Sequence, residues 1–272
     1  MSNGEVRVMK KKICLIGDSR VGKTSLIKRY VNDEFDDKYI ATIGAKISKK
    51  DMLVKVENNG SSSQVTMTLS IWDLIGHRDR EYWSLLKRYY LNTDGALFVC
   101  DMTSRSSLDN LKEWIASLFN TIGVVPFLVM ANKSDLGEQF QISEKEINDL
   151  INLYNSEFYL TSAKTGSNVN LSFQRLSEIM AVNTIHNENL SDPKEVVEEI
   201  KKDFTLLHGG SDRAMPIINH QFKQAGVDIN NPTKDGLQQV IERLAEVTKS
   251  FRGEGLAREQ RAKFMRMVNK LN

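Results

Sequence analysis

The segment GDSRVGKT, residues 17–24, restricts the possible folds of this chain more than any other. It matches the pattern G-x-x-x-x-G-K-[ST], and it lies between the apolar run KKICLI and the amphipathic stretch TSLIKRYVN. In that context the pattern predicts a strand, a loop and a helix whose first backbone N–H groups surround phosphate oxygens. We expect Lys23 to reach the β- and γ-phosphates of a nucleotide and the Thr24 hydroxyl to bind Mg²⁺.

Short apolar runs alternate with helical patterns of apolar residues up to about residue 182. This alternation predicts an α/β fold, with a mostly parallel sheet and helices on both of its faces. The expected strands are KICLIG, TLSIWD, GALFVCD, PFLVMANK and FYLTSA. The polar stretch NNGSSS, between two further extended segments, predicts a hairpin early in the chain.

The pattern changes after residue 182, where no further strand is expected. We assign residues 10–182 to an α/β domain, 183–192 to a polar linker that ends in Asp192-Pro193, and 193–272 to an all-α extension. Helical spacing and prolines predict helices at about 193–207, 211–225, 233–251 and 255–271. The simplest expectation is that these helices form a small bundle, which could also pack against the first domain.

The last predicted helix also allows two other interpretations. Its apolar residues fall on one side, and its basic residues surround them; the sets are Leu256, Phe264, Met267, Val268 and Leu271, and Arg258, Arg261, Lys263 and Arg266. Such a helix can lie on an anionic membrane or pair with a partner helix. Nucleic acid is not expected, because acidic residues interrupt the basic ones earlier in the extension.

Composition agrees with a cytoplasmic protein that could still make a peripheral membrane contact. The formal net charge is +2, and no apolar run approaches the roughly 18 residues that cross a bilayer. The second residue is Ser2 and no cysteine lies near the C-terminus, so neither myristoylation nor prenylation is expected. Cys14 and Cys100 lie in apolar runs, which favours buried, reduced thiols.

The stretch WDLIG, residues 72–76, completes the expected phosphate site. Asp73 ends a predicted strand, and a phosphate-loop site needs an acid at such a position to hold Mg²⁺. Gly76 can offer its backbone N–H to a γ-phosphate at a point where a side chain would obstruct close approach.

Two further segments, NKSD and TSAK, predict recognition of guanine. The Asp135 carboxylate can accept hydrogen bonds from guanine N1–H and from the 2-amino group, which adenine does not present together. Asn132 and Lys133 precede it, and the stem of Lys133 can cover the base. The stretch Ser162, Ala163 and Lys164 can bring a backbone N–H to guanine O6.

In this order, the motifs of residues 10 to about 182 resemble those of Ras-superfamily small GTPases, closest to the Rab branch. The matching segments are GDSRVGKTSLIKRY, YIATIG, WDLIG, REYWSLLKRYY, GALFVCDMT, NKSDL and TSAKTGSNV. The resemblance implies a P-loop small GTPase fold with a six-stranded sheet, GTP or GDP and Mg²⁺ as ligands, and two switch regions. It also implies an exchange factor, a GTPase-activating protein and effectors as partners.

The motifs and the resemblance together define the expected site. Its nucleotide-binding residues are Gly17, Asp18, Ser19, Arg20, Val21, Gly22, Lys23, Thr24, Ser25, Phe35, Tyr39, Thr42, Gly76, Asn132, Lys133, Asp135, Ser162, Ala163 and Lys164. The resemblance implies that Phe35 packs on guanine, Tyr39 closes over the phosphates, and Thr42 joins Thr24 and Asp73 on Mg²⁺. The expected catalytic set is His77, Gly76, Lys23 and Thr42.

Three residues depart from the family pattern. His77 stands where the family usually has a glutamine that orients the attacking water, and its shorter, rigid ring predicts slow GTP hydrolysis. It could alternatively position water after a partner reorders the loop, or point into solvent. Ile75 replaces a small alanine and adds bulk near the γ-phosphate. Arg20 replaces a frequent glycine, and it either points to solvent or contacts phosphate.

Three functional hypotheses follow from the sequence. The first is a GTP/GDP switch with slow hydrolysis, whose loops are ordered by GTP and released by its hydrolysis. The second is a nucleotide-stabilised scaffold that acts through its helical extension, with negligible hydrolysis. The third, an ATP-using enzyme, is disfavoured by Asp135.

Overall fold

A computed structural model describes residues 7–36, 44–58, 61–77 and 80–271 of the chain. The chain divides into two compact units. The first comprises the residues up to Ser117 together with Val125–Val182, and the second comprises Leu118–Val124 and Asn183–Asn272.

The first unit is built on a six-stranded sheet. The strands are β1 (Arg7–Ile16), β2 (Ala45–Asn58), β3 (Ser61–Leu74), β4 (Gly95–Asp101), β5 (Phe127–Asn132) and β6 (Glu157–Leu160). Their order is β2-β3-β1-β4-β5-β6, and only the β2–β3 pair is antiparallel. The predicted mostly parallel sheet and the early hairpin are therefore confirmed.

In the described residues, six α-helices accompany the strands along this part of the chain. They are α1 (Lys23–Asn32), α2 (Arg80–Tyr90), α3 (Arg105–Asp109), α4 (Leu111–Ile122), α5 (Glu144–Ile151) and α6 (Val169–Asn189). Residues 183–189, which we expected within a linker, form the last two turns of α6. The helix continues because residues 183–189 contain no glycine or proline, and the next proline along the chain is Pro193.

Burial follows from the parallel arrangement of the sheet. Every residue of β4 and β5 is buried, as expected for strands with both faces covered. Cys14 and Cys100 are buried free thiols, as their apolar surroundings predicted. Because β1, β3, β4, β5 and β6 run in the same direction, their carboxyl ends meet at one edge, where sites in open α/β sheets form.

The second unit contains four further helices. They are α7 (Pro193–Leu207), α8 (Ser211–Gln224), α9 (Lys234–Arg252) and α10 (Glu254–Val268). Local capping fixes two of their starts. Asp192 accepts a hydrogen bond from the Lys194 N–H ahead of Pro193, and Thr233 accepts one from the Gly236 N–H.

The apolar stripes of these helices form one core. Its members from α7, α8 and α9 include Val196, Ile200, Phe204, Ile218, Phe222, Leu237, Val240, Ile241 and Leu244. The α10 residues Phe264, Met267 and Val268 are buried in the same core. The burial supports the bundle interpretation, since the apolar side of α10 is not available to a membrane or a partner helix. Among the described residues, no helix is long and apolar enough to cross a bilayer.

A buried polar chain crosses this bundle. The His208 imidazole lies 3.2 Å (Nε2) from the Thr248 hydroxyl, which donates a 2.6 Å hydrogen bond to the side-chain oxygen of Gln260. Burial lowers the pKa of His208 to about 4, and the nearby Arg252 guanidinium acts in the same direction. The site therefore holds His208 in its neutral form.

Candidate nucleotide-binding site

The loop between β1 and α1 is shaped by two glycines. Gly17 has φ 151°, and a Cβ there would lie 2.2 Å from the carbonyl oxygen of Val99. Gly22 has φ 100°, and a Cβ there would lie 2.2 Å from the side-chain nitrogen of Asn132. No other residue type fits either position, so close packing is a further reason for the glycines of residues 17–24.

Asp18 anchors this loop to the helical layer. Its carboxylate accepts hydrogen bonds from Asn110 Nδ2 at 2.6 Å and from Trp114 Nε1 at 2.8 Å. The side chain of Asp18 is occupied by these two donors, so a contact of Asp18 with the nucleotide through its backbone stays a prediction. The sequence could not reveal this anchoring role, because the partners lie 92 and 96 residues further along the chain.

Lys23 places a buried cation at the centre of the loop. Its side chain is 7% exposed, and Nζ donates to the carbonyls of Gly17 and Asp18, both at 2.7 Å. Burial lowers its pKa to about 8, although the carboxylates of Asp73 and Asp18 oppose the shift. The loop thus presents a positive charge where the motif predicts phosphate.

Thr24 and Asp73 bring two oxygen ligands together. The Thr24 hydroxyl donates a 2.5 Å hydrogen bond to Asp73 Oδ2, and Asp73 is 2% exposed. Register places Asp73 beside Leu15 of β1, next to the start of the phosphate loop. A hydroxyl and a carboxylate are hard oxygen ligands of the type Mg²⁺ prefers, so these residues fit that ion.

The WDLIG segment lies directly on the phosphate loop. The Gly76 carbonyl accepts a 3.0 Å hydrogen bond from the Ser19 N–H. A Cβ on Gly76 would lie 2.5 Å from the backbone of Asp18 and Ser19, so only glycine fits. The Ile75 side chain is only 4% exposed and also forms part of the cavity wall, so its expected proximity to a γ-phosphate stays a prediction.

His77 and Arg20 are exposed on the cavity wall. The His77 ring lies 5.5 Å from the ring of Tyr82, the closest aromatic contact described for it. Arg20 has a left-handed backbone (φ 67°), a conformation that costs most residues about 1 kcal/mol but is free for glycine. This left-handed backbone explains why the family pattern favours glycine at position 20.

Asn132 connects three segments of the site. Its side-chain nitrogen donates to the Val21 carbonyl at 2.9 Å, and its side-chain oxygen accepts from the Ala163 N–H at 3.2 Å. Asn132 is 2% exposed, so both bonds are shielded from water. It thereby ties the phosphate loop to the TSAK loop, and it also lines the cavity.

Ser162 organises the end of the site that contains the NKSD segment. Its hydroxyl donates a 2.6 Å hydrogen bond to Asp135 Oδ1 and accepts one from the Thr165 N–H at 3.0 Å. Ser162 is fully buried, whereas Asp135 is exposed on the cavity wall. Lys133 has φ 65°, and its ammonium group pairs with Asp101 at 2.5 Å.

Arg29 is a site residue that sequence reasoning missed. Its guanidinium donates to the carbonyls of Ala163 at 2.9 Å and Lys164 at 2.8 Å, more than 130 residues away in sequence. These bonds hold the TSAK loop against α1. No local pattern distinguishes Arg29 from any other basic residue on an amphipathic helix.

One cavity of about 580 Å³ joins these parts, within the range of ordinary small-molecule sites. Its predicted lining residues are Ser19, Arg20, Gly22, Lys23, Thr24, Ser25, Phe35, Gly76, His77, Asn132, Lys133, Asp135, Ala163 and Lys164. Lys28, Asp36, Leu74, Ile75 and Leu136 line it as well. The predicted residues Gly17, Asp18, Val21, Asp73 and Ser162 are not among the lining residues. The predicted residues Tyr39 and Thr42 lie outside the described residues.

Comparison with known proteins agrees with this geometry. Residues 12–182 match the model of the Ras family. Over 173 residues the chain is 35% identical to the Ypt/Rab-type GTPase YPT7 of Saccharomyces cerevisiae, covering 61% of this chain and 79% of that protein.

Two further relatives are similar. The GTP-binding nuclear protein GSP1 of Encephalitozoon cuniculi is 34% identical over 198 residues, 71% of this chain and 87% of its own length. The Ras-related protein Rab-27B of Homo sapiens is 31% identical over 173 residues, which cover 62% of this chain and 78% of that protein. The chain belongs to the Ras family and is a Rab-like small GTPase with additional C-terminal helices.

Proposed function

We propose that this protein is a guanine-nucleotide switch that binds GTP or GDP with Mg²⁺ and hydrolyses GTP slowly. The observation that carries the proposal is that Lys23, Thr24 and Asp135 line the same cavity. A cation suits a polyphosphate, and a carboxylate with free acceptor positions suits a base that presents two adjacent donors.

Selectivity for guanine would rest on Asp135 and its support. The Ser162 hydroxyl holds one carboxylate oxygen, which fixes the plane of the acceptor pair that faces N1–H and the 2-amino group. Asn132 and Arg29 hold the neighbouring TSAK loop, which would place a backbone N–H near O6. Phe35 lies on the cavity wall and would pack on the base.

The phosphates would lie along the loop of residues 17–24 near the Lys23 ammonium group. Thr24 and Asp73 would hold Mg²⁺, with Thr42 as a further proposed ligand. Bound there, Mg²⁺ would neutralise developing negative charge on the phosphates. The close seat of Gly76 against Ser19 makes this segment the element that a γ-phosphate would move, which is the basis of the proposed switch.

Slow hydrolysis is proposed because of His77. The side-chain carbonyl of a glutamine can accept a hydrogen bond from water while its NH₂ group donates one to the γ-phosphate, through one flexible amide. The imidazole of His77 is shorter and rigid, and its ring lies toward Tyr82 on an exposed part of the wall. An activating protein that reorders this loop would be needed for fast turnover, and we propose exchange factors and effectors as its other partners.

The alternative is a nucleotide-stabilised scaffold with negligible hydrolysis. The buried side chain of Ile75 favours it, since burial fixes the backbone just before Gly76 and opposes movement of that segment. In this alternative the nucleotide serves stability, and the helical unit carries the binding function.

Single-turnover hydrolysis separates the two proposals. Protein loaded with GTP and Mg²⁺ should hydrolyse it slowly, and His77→Gln should raise the rate at least about tenfold, equivalent to about 1.4 kcal/mol of barrier. His220→Gln, an exposed histidine on α8, is the matched control and should leave the rate unchanged. Equal rates for the wild type and His77→Gln would refute the role given to His77. No hydrolysis by any variant with GTP retained would favour the scaffold.

A further inference from the structure

Helix α2, which follows the WDLIG stretch, is anchored by a stripe of apolar side chains. Leu86 and Tyr90 are fully buried, and Trp83 lies on the same side of the helix, three residues before Leu86. Trp83 is half-buried and belongs to the first turn of α2, seven residues after Gly76. It is therefore the member of this stripe nearest in sequence to residues 74–77, which we call the Gly76 segment.

Trp83 packs on a tryptophan that itself contacts the phosphate loop. The centres of the Trp83 and Trp114 rings lie 5.0 Å apart, with 32° between the ring planes. Trp114 is 1% exposed, and its Nε1 donates the 2.8 Å hydrogen bond to the Asp18 carboxylate. Aromatic rings at this separation attract each other beyond the effect of burying their surface. Two side chains thus connect the first turn of α2 to the phosphate loop.

Asp18 lies where the phosphate loop meets the Gly76 segment. Its backbone carbonyl accepts a 2.7 Å hydrogen bond from the Lys23 ammonium group. The next backbone N–H, that of Ser19, donates a 3.0 Å hydrogen bond to the Gly76 carbonyl. A contact that reaches Asp18 therefore lies next to both the buried cation of the loop and the seat of Gly76.

The first turn of α2 also contacts the other end of the Gly76 segment. The ring of Tyr82, the neighbour of Trp83 in the chain, lies 5.5 Å from the ring of His77. Because Tyr82 and Trp83 share one helical turn, the packing of Trp83 on Trp114 also fixes where Tyr82 meets His77. The Gly76 segment is therefore held at two points, by the phosphate loop at Gly76 and by α2 at His77.

We propose that Trp83 is a positioning residue that sets the preference of this site for GTP over GDP. The inference rests on the proposed switch, in which the Gly76 segment meets a γ-phosphate that only GTP carries. A segment whose position is restricted in advance loses less conformational entropy when it engages a ligand. By holding α2 on Trp114, Trp83 lowers this cost for GTP, whereas GDP does not reach the segment and gains nothing from it.

The docking of α2 is compatible with a local movement of Gly76. A γ-phosphate would displace the Gly76 carbonyl from the Ser19 N–H, and the displaced segment would stay beside the phosphate because α2 remains on Trp114. A ligand shifts such an equilibrium only by its different affinity for the two arrangements, so the position of α2 acts on the two nucleotides unequally.

Trp114 has a different role from Trp83, which gives the test a contrast. Its N–H supports Asp18 and hence the phosphate loop, which both nucleotides would occupy. Trp114→Phe removes this donor but keeps a ring for Trp83 to pack on. It should therefore weaken GTP and GDP alike, whereas loss of the Trp83 ring should weaken GTP selectively.

Competition against a fluorescent guanine nucleotide tests the proposal on the full chain with Mg²⁺. The quantity measured is the affinity for a non-hydrolysable GTP analogue divided by the affinity for GDP. Trp83→Ala should lower this ratio about fivefold, the size of one aromatic pairing. Trp83→Phe keeps a ring on Trp114 and should restore most of the ratio. Trp114→Phe should lower both affinities and leave the ratio within about twofold of the wild type.

Tyr154→Ala is the matched control. Tyr154 is half-buried, and its ring lies 5.6 Å from that of Phe127, which begins β5, whereas the candidate site lies at the carboxyl end of that strand. The substitution removes a comparable aromatic pair, so it reports any effect of general stability and should leave the ratio unchanged. If Trp83→Ala does not fold, Trp83→Leu retains the apolar stripe without the ring and should lower the ratio about threefold.

Two results would overturn the inference. The first is a wild-type ratio in Trp83→Ala or, in its place, Trp83→Leu, because the ring would then not position the Gly76 segment. The second is an equal fall of the ratio in Tyr154→Ala, because the effect would then be one of general stability. Either result leaves the proposed switch standing, whereas a wild type that binds neither nucleotide would refute the proposed function and this inference together.

Discussion

Asn132→Ala should damage this protein more than any change on the exposed cavity wall. The substitution removes the 2.9 Å bond to the Val21 carbonyl and the 3.2 Å bond from the Ala163 N–H. Val21 is 2% exposed and Ala163 4%, so both groups would be left buried without a partner. Each such group costs about 1–3 kcal/mol, and water can enter the space left by the amide, so we expect a loss of about 2–4 kcal/mol.

The assay follows from where the tryptophans lie. All three, at positions 72, 83 and 114, belong to the first unit, so urea unfolding followed by tryptophan fluorescence reports on that unit alone. A loss of about 2 kcal/mol corresponds to roughly a 30-fold shift in the folding equilibrium. GDP affinity should fall by a similar factor, because the two lost bonds fix the loops on either side of the nucleotide.

Asn148→Ala is the matched control for this experiment. Asn148 is an exposed residue of α5, and its replacement should change the free energy of unfolding by less than about 0.5 kcal/mol. If Asn132→Ala left both the unfolding free energy and GDP affinity within that margin, the bridging role given to Asn132 would be wrong.

Two other predictions concern a glycine and a histidine. In competition binding, Gly76→Ala should lower the affinity for GTP relative to GDP by about tenfold or more, because a Cβ 2.5 Å from the Ser19 backbone must push the segment away. The control Gly137→Ala has no atom within 4 Å of its Cβ position, so it should leave this affinity ratio unchanged. His208 has a folded pKa of about 4, below its unfolded value near 6.5, so its contribution to stability is present above about pH 6.5 and is lost as pH falls toward about 4. Thermal unfolding followed by far-ultraviolet circular dichroism should show that His208→Gln weakens this acid sensitivity, and an unchanged pH dependence would contradict the assignment.

Local sequence signals predicted much of the fold. Strand and helix alternation up to about residue 182 sufficed for the sheet, because a buried parallel strand leaves a short apolar run that periodicity detects. The helix α7 begins and ends where the pattern placed it, since Asp192 and Pro193 act within one turn. The helical structure of residues 183–189 was not predicted, because a polar composition does not by itself end a helix.

The supports of the candidate site could not be predicted in the same way. The motif residues Lys23, Thr24 and Asp135 line the cavity as their spacing suggested. The partners that hold the loops are distant in sequence, as with Asn110 for Asp18 and Arg29 for Ala163. Such pairs depend on the topology of the sheet, which brings the carboxyl ends of separate strands together, and no short pattern encodes them.

Hydrogen exchange of protein loaded with GDP or with a non-hydrolysable GTP analogue tests the central claim most directly. The account predicts that the GTP-bound form protects amides around Gly44 and Gly76–His77, because a γ-phosphate would hold that segment while GDP cannot. Amides of the buried strand β5 should exchange equally slowly in both forms and serve as the internal reference. Identical protection of Gly44 and Gly76–His77 in the two nucleotide states would contradict the switch and leave the scaffold as the better description.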